Sequence, residues 1–124
     1  MHISGISWIG LKVVDFGQSV EFFERTIGLT MIRHDADTEA AHFRLANGDL
    51  FEIFGPKNPE AVGGRQQITL AFEVEDVVAT KAEMESRGVE FVTDVERWKD
   101  HAWCYFRGPE GLVFEIKQSG RMRS

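Results

Sequence analysis

The stretch Trp8-Ile9-Gly10-Leu11-Lys12-Val13-Val14-Asp15, running on to Gly28, decides the fold, because the chain writes it twice. Its counterpart is Thr69-Leu70-Ala71-Phe72-Glu73-Val74-Glu75-Asp76, running on to Gly88. Ile9, Leu11 and Val13 alternate with Trp8, Gly10 and Lys12, which is the period of a strand. Asp15 with Gln18 three positions on opens a capping box. Phe16, Val20, Phe23 and Ile27 then recur at helical spacing, and Gly28 supplies a left-handed stop. In the second copy Asp76 is the cap, Val77 and Met84 match Phe16 and Phe23, and Gly88 ends the helix.

Working outward, each copy continues into three strand-like runs. In the first half these are residues 29–34, 40–46 and 50–55, with the hairpin turn Asn47-Gly48 between the last two. In the second half they are 90–95, 102–107 and 112–117, with Gly108-Pro109-Glu110-Gly111 as the last turn. Phe51-Glu52-Ile53 and Phe114-Glu115-Ile116 close the two halves. Trp8 to Glu52 is 44 positions and Thr69 to Glu115 is 46. Each half thus reads strand, helix, strand, strand, strand. One such copy cannot bury its own apolar face. The expected fold is α+β: two βαβββ modules forming a curved mixed sheet with a concave cleft, helices on the convex side. The expected organisation is one domain over residues 1–124, with module 1 at about 5–55, a Pro/Gly linker at 56–66 and module 2 at about 67–118.

Composition narrows the function classes. A formal net charge of −6 lacks the basic footprint that nucleic-acid binding needs. The basic end Gly120-Arg121-Met122-Arg123-Ser124 is too short for a binding arm and reads as a frayed terminus. No apolar run reaches membrane-spanning length, and the first residues have no signal-peptide pattern. Cys104 alone cannot form an internal disulfide, which suits a reducing cytosol, so a cytoplasmic protein is expected. Cys104 itself reads as a small buried side chain on a strand. Gly63-Gly64 has no following Lys-Ser/Thr and is no phosphate loop.

The faces of the strands carry the functional reading. A three-residue turn at Asn47-Gly48 sends Phe43, Leu45, Phe51 and Ile53 to the helix side. It sends His42, Arg44, Glu52 and Phe54 to the other face. A two-residue turn would set Arg44 opposite Phe51, which burial disfavours. The same logic sends Cys104, Phe106, Phe114 and Ile116 to the helices of the second half. Trp103, Tyr105, Val113, Glu115 and Lys117 then share the far face.

This pattern resembles the vicinal oxygen chelate superfamily, the glyoxalase and bleomycin-resistance group that also contains dioxygenases. The resemblance rests on residues 10–29, Leu50-Phe51-Glu52-Ile53, residues 70–77 and residues 108–116, and it spans nearly the whole chain. It implies the fold above and, in enzymes of the group, a divalent metal held by four side chains. Carried over, those positions are Trp8, Glu52, Thr69 and Glu115. The glutamates match. Indole nitrogen has no lone pair to give, and a threonine hydroxyl is a poor ligand for such metals. We therefore expect no metal at the usual site and no cofactor. A rearranged set built on His42, His101 and one glutamate is the alternative.

The expected ligand-binding residues are Trp8, His42, Arg44, Glu52, Thr69, Trp103, Tyr105 and Glu115. Glu52 and Glu115 are the candidates for a catalytic role. The pair either binds a cation or moves a proton, or else is neutralised structurally, Glu52 by Arg44 and Glu115 by Lys12 or Lys117. Trp8, Trp103 and Tyr105 are either pocket walls suited to an organic cation or packing at an interface. Trp98 is a possible lid. The leading expectation is a metal-independent small-molecule binding protein of the sequestering, drug-resistance kind. The alternative is a lyase or isomerase-type enzyme acting on a small oxygenated substrate. A third is an interaction module whose cleft its own side chains fill. Like many relatives, the chain is expected to form a homodimer.

Overall fold

The computed structural model describes residues 1–59 and 66–120. The middle of the expected linker, with Gly63-Gly64, and the terminal Arg121-Met122-Arg123-Ser124 lie outside the described residues. The chain divides into two compact units. The N-terminal unit is Trp8–Thr69; the C-terminal unit is Met1–Ser7 with residues 70 onward. Strand β1 (Ile3–Lys12) therefore contributes a part to each.

The N-terminal unit follows β1 with helix α1 (Phe16–Glu21) and strands β2 (Thr30–Asp35), β3 (Ala40–Arg44) and β4 (Leu50–Phe54). Its strands run in the order β2-β3-β4-β1, antiparallel except that β1 lies parallel to β4. The C-terminal unit holds β5 (Ile68–Val74) from Leu70 onward, helix α2 (Val77–Ser86), β6 (Glu96–Trp98), β7 (His101–Arg107) and β8 (Val113–Gln118). Here the order is β5-β8-β7-β6, with β5 parallel to β8 and the other pairs antiparallel. The α+β class and the strand–helix–three-strand order are those expected from the sequence. No helix among the described residues is long and apolar enough to cross a membrane.

The caps explain where the helices begin. The Asp15 carboxylate accepts from the Gln18 N–H at 3.0 Å, and the Asp76 carboxylate accepts from the Ala79 N–H at 3.0 Å. Each satisfies a donor that the first helical turn leaves open. Gly28 and Gly88 stop the helices at φ of 84° and 89°.

Each unit has its own core. Phe16, Val20, Ala41, Phe43 and Ile53 form one, with Phe23, Leu29 and Phe51 packed against it. Val74, Val77, Met84, Ala102, Cys104, Phe106 and Ile116 form the other. The turn at Asn47-Gly48 has three residues: the Leu45 N–H donates to the Asp49 carbonyl and Gly48 takes φ of 90°. His42 consequently pairs with Glu52 and Phe43 with Phe51.

Three expectations need correction. The first helix does not continue regularly to Ile27. Residues Phe22–Thr26 are π-helical, closed by the Ile27 N–H on the Phe22 carbonyl. That wider turn rotates Ile27 out to solvent, and Leu29 joins the core instead. Leu45 is exposed beside the turn rather than buried. The sixth strand is not 90–95 but Glu96–Trp98. The cause is Thr93, whose hydroxyl takes the Tyr105 N–H at 2.9 Å. A side chain there replaces a backbone acceptor and interrupts the ladder between the Phe91–Phe106 bridge and β6. Trp98 accordingly lies on a strand, stacked on His101 with Lys99 over its ring.

Cys104 is fully buried, and burial pushes its thiol up to about 11. The folded protein at pH 8 should therefore resist an aromatic disulfide reagent, and react once unfolded in guanidinium. Rapid modification of the native thiol would show that the core opens easily.

Candidate functional site

The N-terminal unit gathers two of the expected residues, Trp8 and His42, around the carboxylate of a third, Glu52. Register sets the frame: His42 on β3, Glu52 on β4 and Gly10 on β1 stand side by side across three strands. Trp8 lies two residues before Gly10 and so shares its face. The Trp8 indole N–H donates to Glu52 Oε1 at 2.9 Å. His42 Nε2 lies 2.5 Å from Glu52 Oε2. Both carboxylate oxygens thus have a nitrogen partner. Trp8 is 8% exposed, whereas the side chains of Glu52 and His42 are 14% and 23% exposed. The indole is sealed in, and the imidazole keeps an opening to solvent.

Gly10 makes this geometry possible. A Cβ built there would collide with the Trp8 ring and approach Phe54 Cε2 to 3.2 Å. The ring therefore lies over the bare backbone of Gly10, tilted against Phe54 at 6.3 Å between centroids. A side chain at position 10 would push the indole away from Glu52.

The His42–Glu52 contact brings an imidazole nitrogen against a carboxylate oxygen. Either the imidazole N–H donates to the carboxylate, or a carboxyl O–H donates to the imidazole. An imidazole and a carboxylate in contact at a partly open surface are the residue types that general acid–base chemistry uses.

Arg44 does not neutralise Glu52. Its guanidinium turns back onto the Gly48 carbonyl at 3.1 Å and closes the hairpin. His42, directly opposite Glu52, is the side chain in contact with it instead. Thr69 is buried near the end of the same unit.

The remaining expected residues belong to the C-terminal unit. Tyr105 stands opposite Glu115 across β7 and β8, and Trp103 opposite Lys117. Glu115 is 4% exposed. The Trp103 indole N–H donates to Glu96 Oε2 at 2.8 Å. Sequence reading missed Glu73. Its buried carboxylate accepts from the Ser119 N–H at 2.9 Å and the Ser119 hydroxyl at 2.7 Å, and it pairs with Lys117 in register. The available clue was a charged residue inside the apolar run Phe72-Glu73-Val74. An open cavity of about 600 Å³ in this unit is lined by His2, Glu75, Asp76, Glu83, Arg97 and Gln118, none of them an expected site residue. Asp76 and Gln118 are already committed there to the first turn of α2.

The metal implied by the resemblance does not suit these residues. The indole presents hydrogen, not a lone pair, at Glu52 Oε1. A divalent ion there would face the positive end of an N–H dipole. In the C-terminal unit the His101 Nδ1 accepts the Gly120 N–H. Among the described residues no group of three His, Cys, Asp or Glu side chains could hold a metal ion.

Comparison with known proteins agrees with this fold. The sequence model of the Glyoxalase/Bleomycin resistance protein/Dioxygenase superfamily matches residues 5–116. Uncharacterized protein YraH of Bacillus subtilis is 30% identical over 87% of this chain and 93% of its own. Uncharacterized protein YaeR of Escherichia coli is 28% identical over 94% and 97%. Streptomyces coelicolor methylmalonyl-CoA epimerase superposes with a TM-score of 0.73 at 20% identity, covering 97% of this chain and all of that one. The methylmalonyl-CoA epimerase of Mycobacterium tuberculosis gives 0.74 at 16% identity, over 96% and 90%.

Gly10→Ala should force the indole off Glu52. We expect a loss of about 1–3 kcal/mol in urea unfolding, the usual cost of overpacking, with a red shift in tryptophan emission. An unchanged spectrum and stability would mean that the ring is not held over Gly10.

Proposed function

The chain belongs to the Glyoxalase/Bleomycin resistance protein/Dioxygenase superfamily, and from that premise we propose that it is an enzyme of the lyase or isomerase type that moves a proton on a small oxygenated substrate. The observation that carries the proposal is the His42–Glu52 pair, a short acid–base contact with an open side. The pair takes a proton from a carbon next to a carbonyl and returns it to the same or a neighbouring atom. The substrate's electrons are redistributed, and none are gained or lost overall. The likeness in fold to methylmalonyl-CoA epimerases supports an isomerase-type reaction over simple sequestration.

Sequestration of a small molecule is the second reading, favoured by the sealed aromatic wall at Trp8. A cationic ligand suits the site less well, because both Glu52 oxygens already have partners. Homodimer formation belongs to the same proposal, and light scattering on the purified protein should return twice the chain mass.

Deuterium wash-in separates the readings. The protein is incubated in D₂O with a panel of small 2-oxo acids, 2-hydroxy ketones and acyl thioesters, and followed by proton NMR. Loss of a C–H signal is expected for at least one compound. Glu52→Gln should slow that exchange by about 10²–10⁴-fold, the usual worth of a positioned acid or base, with circular dichroism unchanged. Binding without exchange anywhere in the panel would establish sequestration instead.

A further inference from the structure

We propose that the Trp8 indole stands in for a divalent cation at Glu52, so that this chain orients its carboxylate with an N–H donor and excludes metal from that position. Three independent features support this. The indole N–H and the His42 imidazole occupy one carboxylate oxygen each. The ring is sealed from solvent at 8% exposure. Gly10 and Phe54 form a seat that only a flat ring over a bare backbone fills.

A divalent ion holds a carboxylate by charge, and the carboxylate and its other ligands must all offer lone pairs. An indole offers the opposite, a fixed hydrogen. It restrains Glu52 without adding net positive charge, and it has no exchangeable ligand to give up to substrate. Trp8 is thus a positioning residue for Glu52, and the imidazole of His42 is left as the group beside the carboxylate that can carry positive charge. The inference concerns metal and carboxylate alone and does not depend on the reaction proposed above.

The test reads the hydrogen bond directly and needs no substrate. Nitrogen-15 labelling of the tryptophans gives one indole N–H resonance for each, and the Trp8 peak is the one missing from Trp8→Phe. In Glu52→Gln that peak should shift, because the acceptor has lost its charge. Manganese(II) added to wild type at stoichiometric concentration should leave the peak sharp. Zinc(II) should give no calorimetric binding and no rise in melting temperature. Trp8→His removes the hydrogen and offers an imidazole lone pair beside His42 and Glu52, so zinc should now bind and raise the melting temperature.

Manganese broadening of the Trp8 peak in wild type, abolished by Glu52→Gln, would overturn the proposal. So would a folded Trp8→His protein that still rejects zinc, since something other than the indole would then exclude the ion. Should Trp8→His fail to fold, the manganese experiment on wild type decides alone.

Discussion

Everything in the N-terminal unit depends on the register of one hairpin. The three-residue turn ending in Gly48 sets His42 opposite Glu52 and Phe43 opposite Phe51. Because side chains alternate along a strand, a slip of one residue would exchange the faces. Phe43 and Ile53, both fully buried, would move away from α1, and Glu52 would be driven into the apolar core. The burial of two large hydrophobic side chains therefore fixes the position of the carboxylate. Arg44 reinforces the register by closing the turn onto the Gly48 carbonyl. The C-terminal unit uses the same device: Arg107 donates to the Gly111 carbonyl, and Gly111 is again left-handed.

Once placed, Glu52 has to be satisfied. A largely buried carboxylate without partners is costly, and stripping one donor from such a group commonly costs about 1–3 kcal/mol. The chain supplies two nitrogen partners, the Trp8 indole and the His42 imidazole, and both positions follow from the register. The price of this arrangement is a glycine at position 10, which weakens β1 locally but leaves room for the ring. Sealing by Trp8 and exposure of His42 then divide the labour. One side of the carboxylate is structural, and the other remains accessible to chemistry.

Much of this was legible in the sequence. Alternation identified every strand but the sixth, Asp15 and Asp76 marked the helix starts, and Gly28, Gly48 and Gly88 took the left-handed conformations their positions demanded. The core lists followed from the faces. Partner choice within a face was harder to read. His42, Arg44 and Glu52 were correctly placed on one face, yet charge alone pointed to Arg44. A directly opposed imidazole prevailed over a diagonal guanidinium that could reach the turn carbonyl instead. The π-helical turn and the interruption at Thr93 were also hidden. Each arises from a local exchange of hydrogen-bond partners that leaves the hydrophobic pattern nearly unchanged.

The two units meet the same folding requirements with different chemistry. Both need a capped helix, a glycine stop and a closed terminal hairpin, and both have them. Neither requirement constrains Trp8 on β1 or Thr69 on β5, the first and last residues of the N-terminal unit. Trp8 donates its indole N–H to an oxygen of Glu52. Threonine brings no such donor ring, and the indole–carboxylate contact of the C-terminal unit arises elsewhere, between Trp103 and Glu96 on β6 and β7. Membership of the superfamily fixes the architecture and not the function.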